Sequence, residues 1–264
     1  MGRHDTGVPV LTSDSGHHDS ASSDAADASD ECPPAATLVY VTGSDDDLWS
    51  FYPPTLKFTE IGTFNCLSFP THMTVDRQAN AWVVSGGNIY EASTKDATCS
   101  AVPTWTPQAD FDDFGLTFIG TTMMVDPHLY LMSESNLGLF DVPTGKVTVI
   151  GNAPVPGAVG DMTSNGDGTL YFLWDTSTPT LYEVNPANAD VIKSTPLDPA
   201  TGGGDQALAY WGGEFYAFEN DVIWQYDPKT GAVGTPGSAP LSITGAGQST
   251  CVPKMGAPPP PPPK

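Results

Sequence analysis

The sequence predicts an all-β protein whose similar four-stranded units close into a ring. Three observations support this fold class. The chain of 264 residues contains 27 glycines, 26 prolines and only 15% charged residues, a composition that suits one domain of short strands joined by many turns. An aromatic strand recurs five times, and a motif that opens the later units recurs alone near the C-terminus.

The aromatic strand sets the length of the repeat. Its central aromatic residues are 42, 48, 41 and 45 positions apart, and a period of this size is typical of radial repeat proteins. The five strands are LVYV (38–41), AWVV (81–84), LYLM (129–132), LYFL (170–173) and FYAF (215–218).

Each aromatic strand is followed by a second strand, a turn and a weaker third strand. In one unit these are LGLFD (137–141), DVPTGK (141–146) and KVTVIG (146–151), and in the last unit IWQYD (223–227) leads into DPKTGA (227–232). Asp, Pro and Gly in the turns supply the backbone angles that tight hairpins need.

A fourth strand precedes every unit except the first. It reads THMTVD (71–76), FGLTFI (114–119), GDMTSN (160–165) and QALAYW (206–211). The matching segment AGQSTC (246–251) stands alone at the C-terminal end. This arrangement predicts that the C-terminal strand pairs with the N-terminal unit, and ring closure of this kind removes exposed sheet edges.

Such units resemble the blades of a β-propeller, and the resemblance covers residues 38–251. We therefore expect a single five-bladed β-propeller of four-stranded blades over residues 38–253. Residues 1–37 are rich in Asp, Ser and Ala, which predicts a disordered acidic linker. Residues 254–264 form a proline-rich tail.

The four cysteines predict two disulfides. None lies in a CxxC pair, which argues against a thiolate metal site, and wide, even spacing indicates an oxidising compartment. Cys251 ends the predicted closing strand and Cys32 precedes the strand beside it, so we expect these two to pair. Cys66 and Cys99 fall near the outer strands of neighbouring blades and form the second predicted pair.

The charge of the chain excludes nucleic acid as a partner. Nine basic residues stand against 31 acidic ones, for a net charge of −22, whereas binding to phosphates requires Lys and Arg. There is no run of 18 apolar residues, which predicts no transmembrane segment. The N-terminus lacks the apolar core of a signal peptide, so we expect that the signal of an exported protein has been removed or lies upstream of this sequence. The predicted state is an extracytoplasmic monomer that is secreted, periplasmic or tethered to the outer surface.

Aligning the repeats predicts which side chains meet at one mouth of the central channel. In a propeller the first strand of each blade lines this channel. Small residues at the aligned positions, such as Gly115, Ala207 and Gly247, are expected to leave room for a ligand. The predicted ligand-binding residues are His72, Asp113, Asp161, Asp205 and Gln206.

Three interpretations of these side chains stay open. Asp161 and Asp205 could bind a hard cation such as Ca²⁺. Two of the carboxylates could act as the acid and the base or nucleophile of a hydrolase. The third interpretation is that they only form turns and strand ends. No GxSxG motif occurs, and no glycine-rich phosphate loop precedes a helix, so the catalytic residues are unassigned.

Two segments, PTHMTVDRQANAWVVSGGNIY (70–90) and DMTSNGDGTLYFL (161–173), resemble repeats of the NHL, SMP-30 and virginiamycin-lyase-like propellers. Those families include lactonases, lyases and binding proteins. The Glu and Asn set that binds metal in the enzymes has no match in this sequence. The acidic stalk before a cysteine-containing propeller also resembles myxobacterial surface lipoproteins, which implies a location at the cell surface.

The leading functional hypothesis is therefore a secreted or surface-tethered, non-enzymatic propeller that binds a glycan or a protein. Trp105, Trp174 and Trp211 lie outside the repeated aromatic positions and are candidates for stacking on sugars. One alternative is a metal-dependent hydrolase or lyase that uses His72, Asp161 and Asp205. The other is a structural subunit of a surface assembly.

Overall fold

The protein is described here by a computed structural model that covers residues 1–2, 32–120, 128–157, 160–174, 178–198, 200 and 206–254. Within these ranges the chain forms strands, turns and two short 3₁₀-helices, Pro34–Thr37 and Pro53–Thr55. Asp205 lies outside the described residues, as do most of the predicted linker and nearly all of the proline-rich tail.

The strands follow the repeated pattern along the chain. In order they are β1 (Val39–Gly43), β2 (Asp47–Tyr52), β3 (Lys57–Thr63), β4 (His72–Val75), β5 (Asn80–Ser85), β6 (Asn88–Ser93), β7 (Cys99–Ala101), β8 (Phe114–Ile119), β9 (His128–Ser133), β10 (Asn136–Asp141), β11 (Lys146–Asn152), β12 (Asp161–Ser164), β13 (Leu170–Trp174), β14 (Thr180–Val184), β15 (Val191–Pro196), β16 (Gln206–Trp211), β17 (Glu214–Asp227) and β18 (Ala232–Gln248).

Burial changes from the inside of each sheet to the outside. Every residue of β4, β8 and β12 is buried, because these inner strands are covered on both faces. The outermost strands β3, β11 and β15 have no buried residue. The apolar runs of the inner strands and the polar outer strands of the sequence thus correspond to two different positions in the fold.

Tight turns join the two middle strands of a sheet. Gly86 and Gly87 connect β5 to β6, and both have positive φ angles, 54° and 71°. Two consecutive residues of positive φ match the twist of a β-hairpin, and glycine adopts this conformation without steric cost.

The strands form four antiparallel sheets. Three have four strands each, β4–β7, β8–β11 and β12–β15, and the fourth has six strands in the order β16-β17-β18-β1-β2-β3. The fold is an all-β propeller, as predicted, but the prediction of five separate four-stranded blades is wrong. The physical reason is that β17 and β18 each run on through two predicted strands, with bulges instead of breaks. The last and the first of the predicted units therefore share one sheet.

The inner strands surround a common axis. Strand β4 packs against β8, β8 against β12 and β12 against β16, and the C-terminal part of β18 lies beside both β16 and β4. The same part of β18 pairs with β1, in a register that places Val39 opposite Gln248 and Tyr40 opposite Gly247. The two ends of the described domain are thus hydrogen-bonded to each other.

Both predicted disulfides are present. Cys32 is bonded to Cys251 and Cys66 to Cys99. Near the first, the hydroxyl of Ser249 donates a hydrogen bond to the carbonyl of Ala36, which is fully buried. Residues 32–37 therefore belong to the folded domain, which begins earlier than the predicted boundary after residue 37.

Candidate functional site

Four of the five predicted ligand-binding residues lie at one end of the inner strands. His72 begins β4, Asp161 begins β12 and Gln206 begins β16, while Asp113 directly precedes β8. We call this end of the molecule the channel mouth. The fifth residue, Asp205, is outside the described residues.

Asp161 links three inner strands through its carboxyl group. The side chain is fully buried. Its Oδ1 accepts a hydrogen bond of 3.0 Å from the Met162 amide and lies 3.3 Å from Nδ1 of His72. Its Oδ2 accepts a hydrogen bond of 2.7 Å from the Leu208 amide. Because these partners lie on β12, β4 and β16, the arrangement favours a strand-linking role over metal ligation.

Burial controls the protonation of Asp161. Loss of hydration raises the pKa of the carboxyl above its ordinary value, and the His72 contact and the two backbone amides partly oppose this rise. A buried carboxyl of this kind costs stability when it is ionised without sufficient compensation.

His72 connects this interior carboxyl to the surface. Its ring is mostly buried, and its Nε2 lies 4.0 Å from Oδ1 of Asp113, whose side chain is 59% exposed. An imidazole between a buried and an exposed carboxyl group can carry a proton from one side to the other. The described residues do not include Asp205. Among them, no three His, Cys, Asp or Glu side chains are grouped closely enough to hold a metal ion.

The sequence led us to expect that the glycines of the inner strands leave room for a ligand. In the structure they do not. A Cβ atom on Gly115 would lie 2.5 Å from the carbonyl oxygen of Gly160, and one on Gly247 would lie 2.5 Å from the carbonyl oxygen of Met73. These positions are small because neighbouring inner strands approach closely, so that expectation is wrong.

A second buried side chain, Gln248, bridges the inner strands further along the axis. Its Oε1 accepts a hydrogen bond of 3.1 Å from the Tyr210 amide. Its amide nitrogen donates to the Thr163 hydroxyl at 2.5 Å and to the Ser164 carbonyl at 3.0 Å. Sequence reasoning missed this residue, although its position in AGQSTC aligns with the inner strands.

The most exposed aromatic side chain of the domain stands beside the channel mouth. Phe69, three residues before His72, is 79% exposed and has a φ angle of 57°. Its amide donates a hydrogen bond of 2.6 Å to Oδ1 of Asp46. The preceding carbonyl, of Ser68, accepts a hydrogen bond from the Ser85 hydroxyl. The backbone is thus anchored on both sides of Phe69, a residue that the sequence analysis did not single out.

The tryptophans expected to stack on sugars are mainly core residues. Trp105 and Trp211 are buried, and their indole N–H groups donate to the carbonyls of Gly87 at 3.0 Å and Thr37 at 2.8 Å. Trp174 is half-buried and packs against the core. The expectation that Trp105 and Trp211 stack on sugars is therefore wrong, because their rings are buried and their indole N–H groups are hydrogen-bonded inside the fold.

Comparisons with known proteins show the fold and no family. No family model matches the chain, and none of the curated proteins matches it. A chain in the crystal structure of a nidogen/laminin complex is similar at 12% identity, with a TM-score of 0.50 over 80% of both chains. An auxiliary nutrient binding protein from Bacteroides thetaiotaomicron has 12% identity and a TM-score of 0.47, over 75% of this chain and 54% of that one. At this identity the first similarity supports the propeller fold alone.

Two further observations concern location. The paired cysteines are typical of proteins that fold outside the cytoplasm. Among the residues the structure describes, there is no helix long and apolar enough to cross a membrane.

Proposed function

We propose that the protein is a binding propeller that acts outside the cytoplasm, secreted or tethered to the surface, and recognises a glycan or a protein with the face around the channel mouth. The observation that carries this proposal is the anchored, exposed side chain of Phe69. A positive φ angle is unfavourable for a bulky residue, at a cost of about 1–3 kcal/mol. Such strain persists only where the surrounding structure holds the residue in place.

The loop that carries Phe69 is held firmly. Cys66 is cross-linked to Cys99, Leu67 and Pro70 are buried, and Asp46 binds the Phe69 amide. A large aromatic group presented without further ordering loses little entropy on binding, and this is characteristic of the residues that dominate interfaces.

The same face of the molecule as Phe69 also carries carboxylate side chains. Asp45 is exposed in the β1–β2 turn beside Asp46, and Asp113 is exposed at the channel mouth. Carboxylates can accept hydrogen bonds from sugar hydroxyls or from basic side chains of a protein, which supports either ligand class.

The test is a binding screen of the full chain against glycan arrays and panels of extracellular proteins, followed by Phe69→Ala. We expect this variant to weaken the binding of any hit by at least about tenfold, as for an interface hot spot. Val149→Ala is the matched control, because Val149 is 51% exposed on β11 of another sheet. Equal affinities for Phe69→Ala and the parent would overturn the proposal.

A second candidate function is the enzymatic alternative, a metal-dependent hydrolase or lyase, and the observation behind it is the contact between His72 and Asp161. In that case Asp161 would orient the imidazole and His72 would act as general base at the channel mouth. Turnover of an ester, lactone or glycoside that is abolished in a folded His72→Gln variant would establish this alternative. The binding proposal predicts that no panel of substrates shows such turnover.

A role as a subunit of a surface assembly predicts self-association, which sedimentation at high protein concentration would detect. A Ca²⁺ site at Asp161 and Asp205, the NHL-type repeat and a tether to the cell surface remain predictions of the sequence.

A further inference from the structure

A cleft of about 570 Å³ lies between the sheets β4–β7 and β8–β11. It is at the end of the inner strands away from the channel mouth, because Asp76 follows the last residue of β4 and Phe118 is near the last residue of β8. The volume is within the range of small-molecule sites in proteins. The apolar part of its wall includes Trp82, Phe118, Leu129, Leu139, Phe140 and Val142.

The aromatic wall is rigid. Trp82 and Phe118 meet edge to face, with ring centroids 5.5 Å apart and an interplanar angle of 88°. The Trp82 indole N–H also donates a hydrogen bond of 3.2 Å to Oδ2 of Asp76. This side of the cleft is therefore preformed, as is usual for small-molecule sites.

Asp76 places a fixed negative charge at the cleft. Its Oδ1 accepts hydrogen bonds of 2.9 and 2.8 Å from the amides of Gln78 and Asn80, and Oδ2 accepts one of 3.1 Å from the Asn80 side chain. The effect of this charge extends to Glu91, whose pKa is raised first by burial and then by the proximity of Asp76.

A second carboxylate borders the cleft from the other sheet. Asp141 is exposed, and its Oδ1 accepts a hydrogen bond of 3.1 Å from the Thr144 amide. The remaining polar residues of the wall are Gln78 and His128. No lysine or arginine is among the described residues that line the cleft.

We propose that this cleft binds a small organic cation, an amine carried on an apolar body. Aromatic and aliphatic side chains would cover the body, and the charged nitrogen would lie toward the carboxylates of Asp76 and Asp141. Attraction of a cation to aromatic rings and to carboxylates adds to the burial of the apolar part. This site is separate from the channel mouth and does not depend on the ligand proposed there.

The test compares two probes of nearly the same shape, 2-phenylethylammonium and the neutral 2-phenylethanol, by isothermal titration calorimetry with the full chain. We expect the ammonium probe to bind at least about fivefold more tightly than the alcohol, and the difference to shrink at high salt because exposed charges are screened. Equal affinity of the two probes, or no heat from either at millimolar concentration, would overturn the proposal.

Two variants locate the bound probe. Leu139→Trp fills the cleft and should abolish binding of the ammonium probe. Asp141→Asn should weaken it by about threefold to fivefold, the size expected for one exposed ion pair. Asp227→Asn is the matched control, since Asp227 begins the equivalent turn and also accepts a backbone amide, that of Lys229, but does not line the cleft.

The control variants also separate binding from folding. If Leu139→Trp fails to fold, the comparison of Asp141→Asn with Asp227→Asn still tests the site, because both preserve the oxygen that accepts the turn hydrogen bond. Unchanged affinity in a folded Leu139→Trp variant, or equal losses in the two Asp variants, would place the probe elsewhere and contradict the proposal.

Discussion

The inner strands and the rim of the propeller use polar and aromatic side chains in opposite ways. At the centre, Asp161 and Gln248 are buried, and their polar atoms form hydrogen bonds with the inner strands. Around the centre, in the part of the molecule that we call the rim, Phe69 is exposed on an anchored loop beside the channel mouth, and an open cleft lies between two sheets at the opposite end of the inner strands. The contrast indicates that buried polar groups at the centre hold the inner strands together, while the exposed groups are available for the two binding proposals made above.

The largest expected effect on the free energy of unfolding comes from removing a disulfide, and we expect the two disulfides to differ. The Cys32–Cys251 bond spans 219 residues and closes the ring, whereas Cys66–Cys99 spans 33 and anchors a loop at the rim. On the chain-entropy estimate, replacing the first pair by Ser should lower the free energy of unfolding by about 5 kcal/mol and the second by about 4 kcal/mol. Urea unfolding of the two double variants measures both. A larger loss from the rim pair would contradict the stabilising role given to ring closure.

The next effect concerns the buried carboxyl group. In Asp161→Asn the side-chain NH₂ must face at least one of the donors that now bind the carboxyl, and we expect a loss of about 2 kcal/mol. Asp113→Asn at the exposed side of His72 is the control and should change stability by less than about 0.5 kcal/mol. Equal effects in denaturant titrations would show that Asp161 does not hold the inner strands.

The same variant predicts a pH dependence. Burial raises the pKa of Asp161 in the folded protein above its unfolded value of 3.8, so the folded state keeps this proton to higher pH. The resulting stabilisation is fully present below pH 3.8 and is lost as the pH rises through the folded-state pKa. The stability of the parent relative to Asp161→Asn should therefore fall with rising pH, and a difference that is independent of pH would contradict the raised pKa.

A smaller effect tests the close packing of the inner strands. Gly247→Ala would bring a Cβ within 2.5 Å of the Met73 carbonyl oxygen, and overpacking of this kind costs about 1–3 kcal/mol. Gly234→Ala, on the outer part of β18, meets nothing within 4 Å and serves as control. If thermal unfolding shows the same midpoint for both variants, there is free space at the axis after all.

The smallest expected effect on stability is at the rim. Phe69 makes little contact with the core, so Phe69→Ala should leave the melting temperature within about 1–2 °C of the parent. A large drop would show that Phe69 has a structural role, and would weaken the proposal that it is exposed for binding.

Some residues of the site could be predicted from the sequence and others could not. The repeat alignment placed His72 and Asp161 at equivalent positions, and the structure brings them to 3.3 Å. The alignment did not identify Phe69, because an apolar residue in an irregular loop is not part of a repeated pattern. It also misinterpreted Gly115 and Gly247, since a small residue can leave a space or allow close contact, and the pattern is the same in both cases.

By itself, the sequence determined the all-β class, the repeated strands and both disulfide pairs, because these depend on periodic burial, turn residues and the position of cysteines along the strands. Only the tertiary structure decided that two units share one six-stranded sheet. It alone also decided that the Asp161 carboxyl group contacts three inner strands and that an apolar cleft opens between β4–β7 and β8–β11. These features depend on how closely strands from distant parts of the chain approach one another, and no local pattern records that distance.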